Sequence, residues 1–237
     1  FISCERRDNV MKSSFFCKIY GLKIPFMKMY RLKFSTLFIV FLIWSSQSIA
    51  QNKKMIFRSM SCKNKMWAIK NVPSLKKALV ISNEVLNTMD SLYKENLFET
   101  NSEGSRLDAF RHIYWMYSLA SEIGIEKSRR IGIIYEDYNQ YVFSVRSFSG
   151  YDFAGRMMDE YNNELGLYLF SKIGVREKDE VFEEIMILIS RGCARIVAKD
   201  KLQRSLDRNN NVIPDSEWKS QWNNSRYLIK SNNVICE

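Results

Sequence analysis

The chain contains a single histidine, His112, and it lies among residues that could support acid–base chemistry. Asp108 precedes it by four residues and Arg111 by one. On a helix, a carboxylate at position i and an imidazole at position i+4 lie on one face. A hydrogen bond between them would fix the imidazole tautomer and raise its basicity, as a general base requires. The alternative interpretation is a partly buried histidine whose polar atoms are satisfied by a neighbouring acid.

A second group of polar residues interrupts an apolar helical pattern further along the chain. Asp159 and Asn163 share a helix face, and Asn162 lies on an adjacent one. Adjacent asparagines are unfavourable in mid-helix because their side chains compete for backbone hydrogen bonds. We therefore expect them to be compensated, either in a buried polar network with Asp108 and His112 or by lining a ligand cleft.

A third group consists of the adjacent acids Glu136 and Asp137. Together with Asp108, His112 and Asp159 they would supply enough oxygen and nitrogen ligands for one metal ion. Solvated surface acids are the alternative interpretation. The sequence lacks a G-x-S-x-G elbow, a Gly-rich phosphate loop, an H-E-x-x-H motif and a Cys/His cluster, so it assigns no metal ligands and identifies no cofactor.

Helical periodicity of apolar residues indicates the elements that must position these groups. It predicts five helices, over residues 75–96, 107–124, 126–147, 153–173 and 177–202. Asp152 is a candidate N-cap, and Gly124 and Gly174 are candidate stops. A turn at residues 207–211 predicts a small hairpin or loop, followed by a short closing helix docked through tryptophans. The predicted fold class is all-α, a single compact bundle of about five helices with a short C-terminal hairpin or loop.

Residues 27–50 have the composition of a targeting signal. A basic stretch around Lys28 is followed by a short apolar run over residues 34–44 and by small residues before Ala50. We expect export, with a periplasmic or extracellular location after cleavage near Ala50; an uncleaved anchor is the alternative. The predicted divisions are an unstructured upstream segment (1–26), a signal peptide (27–50), an irregular basic segment (51–74) and a single helical domain (75–237).

Without the leader, the chain has a much smaller net positive charge. Residues 1–50 hold eight of the 36 basic and two of the 26 acidic residues, so the net charge of the remainder falls from +10 to +4. This argues against a nucleic-acid partner. An envelope component or a protein remains a candidate partner, and membrane contact is expected only through the leader or the basic N-terminal arm. Of the three remaining cysteines, Cys62 and Cys236 are candidates to pair while Cys193 stays buried on a helix.

Two motifs resemble those of a known family. Residues 108–115 read D-A-F-R-H-I-Y-W and residues 158–166 read M-D-E-Y-N-N-E-L-G. They resemble an uncharacterised bacterial family of exported helical domains, with the motifs D-A-F-R-H-x-x-W and M-D-x-x-N-N-x-x-G. The resemblance covers about residues 104–170 and implies a helical fold and a site, but no particular reaction. Many relatives carry a second histidine beside an acid, roughly A-H-E, where this chain has Tyr135-Glu136-Asp137. If that histidine is needed for chemistry or metal binding, the resemblance implies a weakened or inactive protein.

The sequence therefore predicts one site with two candidate functions. Its members are the catalytic candidates Asp108, His112 and Asp159 and the ligand-binding candidates Arg111, Trp115, Asn162, Asn163 and Glu136. The favoured function is an exported non-catalytic or partner-binding module whose motif residues form one joined polar centre. The alternative is a hydrolase-like enzyme that acts on a cell-envelope component with His112 as general base.

Overall fold

The structure is a computed structural model that describes residues 55–98, 100, 102–146 and 149–233. The predicted upstream segment (1–26) and signal peptide (27–50) lie outside the described residues. So does Cys236, and its pairing with Cys62 stays a prediction. Cys62 is exposed, and Cys193 is half-buried rather than buried.

The described residues fold into helices with a small two-stranded sheet. After a short helical turn at residues 55–59, the elements follow in chain order: α1 (Cys62–Lys70), α2 (Val72–Lys94), α3 (Arg106–Ile123), α4 (Ile125–Val145), α5 (Phe153–Ile173), α6 (Lys178–Ser190), β1 (Arg195–Val197), α7 (Asp215–Trp218) and β2 (Leu228–Lys230). The predicted all-α bundle is confirmed. None of the helices among the described residues combines the length and apolar character that crossing a bilayer requires.

Helix α3 is the centre of the bundle. It packs against α2, α4, α5, α6 and β1, and Phe110, Ile113, Met116 and Leu119 on it are almost inaccessible to solvent. The side chain of Ser105 caps its first turn by accepting a hydrogen bond from the backbone N–H of Asp108. Because α3 is buried on most of its surface, its polar residues must find partners inside the protein.

Helix α5 lies against α3 at unusually close range. A Cβ atom added at Gly166 of α5 would lie 2.3 Å from the backbone carbonyl oxygen of Ile113 in α3. Only glycine permits this approach of two helix backbones. Asn163 lies one turn before Gly166, so the contact brings its side chain against the neighbouring turn of α3.

The C-terminal segment closes one side of the bundle. Strands β1 and β2 pair antiparallel, with Ile196 opposite Ile229. An isolated bridge between Leu206 and Val212 encloses the turn at residues 207–211, which confirms the predicted hairpin. The predicted closing helix is α7, whose Trp218 is buried.

Two predicted segments are corrected by the structure. Residues 51–74 are not irregular throughout, because Ser61 caps helix α1 and α2 begins at Val72. The helix predicted over residues 177–202 ends at Ser190. Gly192 follows with a φ of +73°, a backbone conformation that turns the chain out of the helix and into β1. The caps and stops predicted at Asp152, Gly124 and Gly174 are confirmed.

Candidate functional site

The lone imidazole meets residues from both motifs. His112 Nε2 lies 3.1 Å from Asp159 Oδ1, and His112 Nδ1 lies 3.0 Å from Asn163 Oδ1. The predicted convergence of α3 and α5 side chains is thus confirmed. The imidazole is only 2% exposed, so these contacts form inside the protein.

Asn163 fixes the tautomer of His112. An amide oxygen only accepts, so the ring N–H at Nδ1 donates to Asn163 and the lone pair is on Nε2. The sequence predicted that Asp108 would take this role. Asp108 Oδ1 instead lies 3.7 Å from Nε2, too far for a hydrogen bond. Arg111 Nη2 lies 3.2 Å from Nε2 and donates to it.

Asp108 is held by the start of its own helix. The backbone N–H of Gly104 donates to its Oδ2 at 2.6 Å. Its Oδ1 makes an ion pair with Arg111 Nη2 at 2.5 Å. The same oxygen lies 3.7 Å from Nε2 of His112, so Arg111 and His112 both lie beside this carboxylate.

These groups lie at the floor of a narrow polar cleft of about 40 Å³. Asp108 and Asp159 face the cleft directly, whereas His112 lies behind them. The lining residues are Glu103, Gly104, Asp108, Arg111, Tyr135, Glu136, Asn139, Gly150, Tyr151, Asp152, Gly155, Arg156, Asp159, Trp222 and Arg226. The carboxylates are thus the groups that a bound molecule would meet first.

Glu136 adds a buried acid to this cleft. Its side chain is fully buried, and Asn139 donates to its Oε2 at 3.2 Å. Its Oε1 has no hydrogen-bond partner among the described residues, and neither does Asn139 Oδ1. Burial raises the pKa of Glu136 to about 8, although the hydrogen bond from Asn139 opposes that shift.

The charges at the cleft floor are poorly balanced. Burial, followed by the neighbouring Glu136 and Asp108 carboxylates, raises the pKa of Asp159 well above its ordinary value. Burial and the Arg111 guanidinium lower the pKa of His112 to about 4, so the imidazole is neutral at pH 7. Several acids thus share one cleft with too little positive charge to keep all of them ionised.

Three predicted ligand-binding residues do not line the cleft: Asn163, which contacts His112, and Trp115 and Asn162. Trp115 donates from its Nε1 to Ser82 Oγ of α2 at 2.9 Å. Asn162 makes two hydrogen bonds with the backbone of Arg195, which begins β1: its Nδ2 donates to the carbonyl and its Oδ1 accepts from the N–H. These contacts place Trp115 and Asn162 in the framework of the fold.

Other cleft residues were missed by the sequence prediction. Asn139 lies three residues after Glu136 and so shares its face, a signal that was present in the sequence. Arg156 is held by Glu160 and Asp137, and Arg226 by Asp152. Tyr151, Trp222 and Arg226 reach the cleft only through the tertiary fold, so no local pattern reveals them.

The donor atoms at the floor have the grouping of a metal site. One ligand atom each from Asp108, His112 and Asp159 lies within 4.8 Å of the other two. An ion placed among them would meet one nitrogen and two oxygens and would face the cleft on its open side. The donor set fits a cation on chemical grounds, because imidazole and carboxylate are both metal ligands in their unprotonated forms.

Fold and site together define a helical domain with an acidic, imidazole-backed cleft. Residues 65–192, more than half of the chain, match the family described as "Domain of unknown function (DUF6973)". The chain belongs to this family. No match was found among curated proteins or among solved structures.

Proposed function

We propose that this domain is an exported module that binds a divalent transition-metal ion at Asp108, His112 and Asp159. The observation that carries the proposal is the convergence of these three donors, within 4.8 Å of one another, at the floor of the cleft. Two are carboxylates that line the cleft, and the third is an imidazole whose Nε2 lies 3.1 Å from Asp159 Oδ1.

The surroundings of His112 support this role. Metal-binding histidines commonly donate their second ring N–H to an oxygen, which fixes the ring and its tautomer. Asn163 Oδ1 accepts in this way from Nδ1 at 3.0 Å. A general base would need Nε2 to reach a substrate, but here Asp159 and Arg111 lie between Nε2 and the cleft space.

Unsatisfied oxygens in the same cleft also favour a cation. Glu136 Oε1 and Asn139 Oδ1 are buried without a hydrogen-bond partner among the described residues, an arrangement that costs free energy unless a ligand compensates it. Arg111 provides the nearest positive charge, and its side chain is 35% exposed. In the proposal, the guanidinium neutralises Asp108 in the absence of the ion and moves toward solvent when the ion binds.

The donor set indicates which ions fit. Imidazole with two carboxylates suits Zn²⁺ or Mn²⁺, whereas Ca²⁺ and Mg²⁺ prefer oxygen ligands throughout. We expect Zn²⁺ and Mn²⁺ to bind more tightly than Ca²⁺.

Export belongs to the same proposal and is supported by the composition of residues 27–50. Basic residues, a short apolar run and small residues follow in the order of a secretory signal. N-terminal sequencing of the protein recovered outside the cytoplasm should give a start close to Gln51. Recovery of the protein from the cytoplasm alone would contradict this part.

Thermal unfolding with added metal tests the site. Zn²⁺ or Mn²⁺ should stabilise the wild-type protein by about 2.7 kcal/mol at about 100 times the Kd. Asp159→Asn should lose most of that stabilisation, because it removes a charged ligand but keeps the side-chain size. Glu164→Gln is the matched control, since Glu164 is exposed, lies on the same helix and pairs with Arg129 outside the cleft.

Three outcomes would overturn the proposal. The first is a wild-type protein whose melting temperature does not respond to either ion. The second is a response that Asp159→Asn retains in full. The third is an equal response in Asp159→Asn and Glu164→Gln, which would indicate binding to surface acids.

A second candidate function is metal-assisted hydrolysis, favoured by the open side of the site. Asp108 and Asp159 face a narrow cleft that has room for water, and Tyr151 and Arg156 line its walls. A bound Zn²⁺ would supply an activated water. Release of nitrophenol from nitrophenyl phosphates or esters should then require Zn²⁺, disappear in Asp159→Asn and persist in Glu164→Gln. Metal binding without turnover would leave the binding module as the function.

A further inference from the structure

We propose that residues 55–83, at the start of the described chain, form a docking surface for an anionic lipid bilayer. We call these residues the acid-free segment. It comprises the turn at residues 55–59, α1 and the first half of α2. The proposal is independent of the cleft and of the metal site.

The charge of the acid-free segment has one sign. It contains no aspartate or glutamate, and the first acid after it is Glu84. Its basic residues are Arg58, Lys63, Lys65, Lys70, Lys76 and Lys77. Of these, Lys77 is paired with Glu122 of α3 at 3.0 Å. Basic clusters of this size are attracted to anionic headgroups by about 1 kcal/mol for each residue near the surface.

The same segment exposes large apolar side chains, each between 43% and 61% accessible. They are Phe57, Met66, Ile69, Val72, Leu79 and Val80. Scattered exposed apolar residues are normal on any protein. Six exposed apolar residues within a stretch whose charged residues are all basic are typical of a segment that lies on a membrane surface.

Helix α1 shows how the two kinds of residue are arranged. Asn64 and Ala68 are its buried residues and hold it to the bundle. Met66 and Ile69 are three residues apart and point to solvent, 56% and 61% exposed, and Lys70 follows directly. An apolar stripe with adjoining lysines can place alkyl groups at the acyl boundary while the ammonium groups remain among the headgroups.

Helix α2 repeats this arrangement. Ala78 and Ile81 face the core, whereas Leu79 and Val80 are 53% and 57% exposed. Lys76 lies one turn before Val80 on the exposed side. A nucleic acid would be matched by the lysines but not by these aliphatic side chains, and a bilayer surface is matched by both.

Vesicle sedimentation tests the surface. The purified full-length chain should bind vesicles of phosphatidylglycerol mixed with phosphatidylcholine more tightly than vesicles of phosphatidylcholine alone, and added salt should weaken binding. The double substitution Met66→Glu, Ile69→Glu should lower the partition coefficient at least about tenfold. The same measurement on the chain that starts at Gln51, the start expected after export, removes the contribution of the leader.

The matched control is the double substitution Val175→Glu, Leu202→Glu. These residues are 72% and 73% exposed and lie outside the acid-free segment. The control adds the same charge and should bind vesicles like the wild type. Circular dichroism melts would verify that both double variants remain folded.

The proposal fails if the Met66, Ile69 variant binds like the wild type, or if both double variants lose binding equally. It also fails if phosphatidylcholine vesicles bind as well as anionic ones. A fourth outcome, self-association that the Met66, Ile69 variant abolishes in a protein that does not sediment with vesicles, would assign the surface to a protein partner instead.

Discussion

Asn162 and Asn163, the adjacent asparagines of the second motif, have different roles although they are the same residue type. Asn163 accepts from His112 and so belongs to the site. Asn162 binds the backbone at the start of β1 and so belongs to the fold. The sequence predicted that both needed compensation, and it could not assign them because β1 was taken as the end of a helix.

His112 contributes to stability as well as to the site. We expect His112→Ala to lower the free energy of unfolding by about 2–4 kcal/mol, because it opens a cavity and leaves Asn163 Oδ1 without its donor. Urea denaturation in the presence of a chelator would measure this cost apart from any bound metal. Glu164→Gln should stay within about 0.5 kcal/mol of the wild type. If His112→Ala lowers the free energy of unfolding by less than about 0.5 kcal/mol, the imidazole contacts contribute nothing measurable to stability.

At the scale of elements, the sequence predicted the helices that carry the site and failed at the ends of others. Apolar periodicity located α3 and α5 because both have a well-marked cap and a terminal glycine. The same method extended α6 too far, because the apolar residues of β1 continue a helical spacing. Strand pairing with β2 is a contact between distant residues, and periodicity does not detect it.

The contact of α3 with α5 depends on Gly166. Gly166→Ala should lower the free energy of unfolding by at least about 1–3 kcal/mol. The added Cβ would collide with the backbone carbonyl of Ile113, which can move only if helix α3 moves with it. Gly132→Ala is the comparison, since its Cβ would meet the flexible end of Met116 at 3.3 Å and the side-chain nitrogen of Asn163 at 3.4 Å, and no backbone atom. That change should be neutral or stabilising, as alanine favours a helix over glycine by about 1 kcal/mol. Equal melting temperatures for both variants would contradict the close-contact argument.

At the scale of the whole molecule, the site is built from two parts of the chain. Residues 65–192 match the family and provide Asp108, His112, Asp159 and Glu136. Residues beyond 192 provide Trp222, which packs on Phe143 of α4, and Arg226. The sequence predicted the residues before 192 because each motif lies within one helix. It did not predict Trp222 and Arg226, because they reach the cleft only through tertiary contacts.

A chain ending at residue 192 should therefore not fold. It would leave Asp152 buried without Arg226, and Asn162 without its partners on β1. Breaking a buried ion pair costs about 3–5 kcal/mol, and native domains are stable by only about 5–15 kcal/mol. Arg226→Gln, which removes the charge but keeps β1 and β2, should give an intermediate loss. A cooperative thermal transition in the truncated chain, followed by circular dichroism, would contradict this prediction.

The division of the cleft also has a consequence for its selectivity. Asp108 and Asp159 come from the motif helices, whereas Trp222 and Arg226, which also line the cleft, come from a segment outside the family match. Mutations in that segment would change which molecules enter the cleft. A substitution at Trp222 should therefore change the entrance of the cleft while the donor atoms of Asp108, His112 and Asp159 keep their positions.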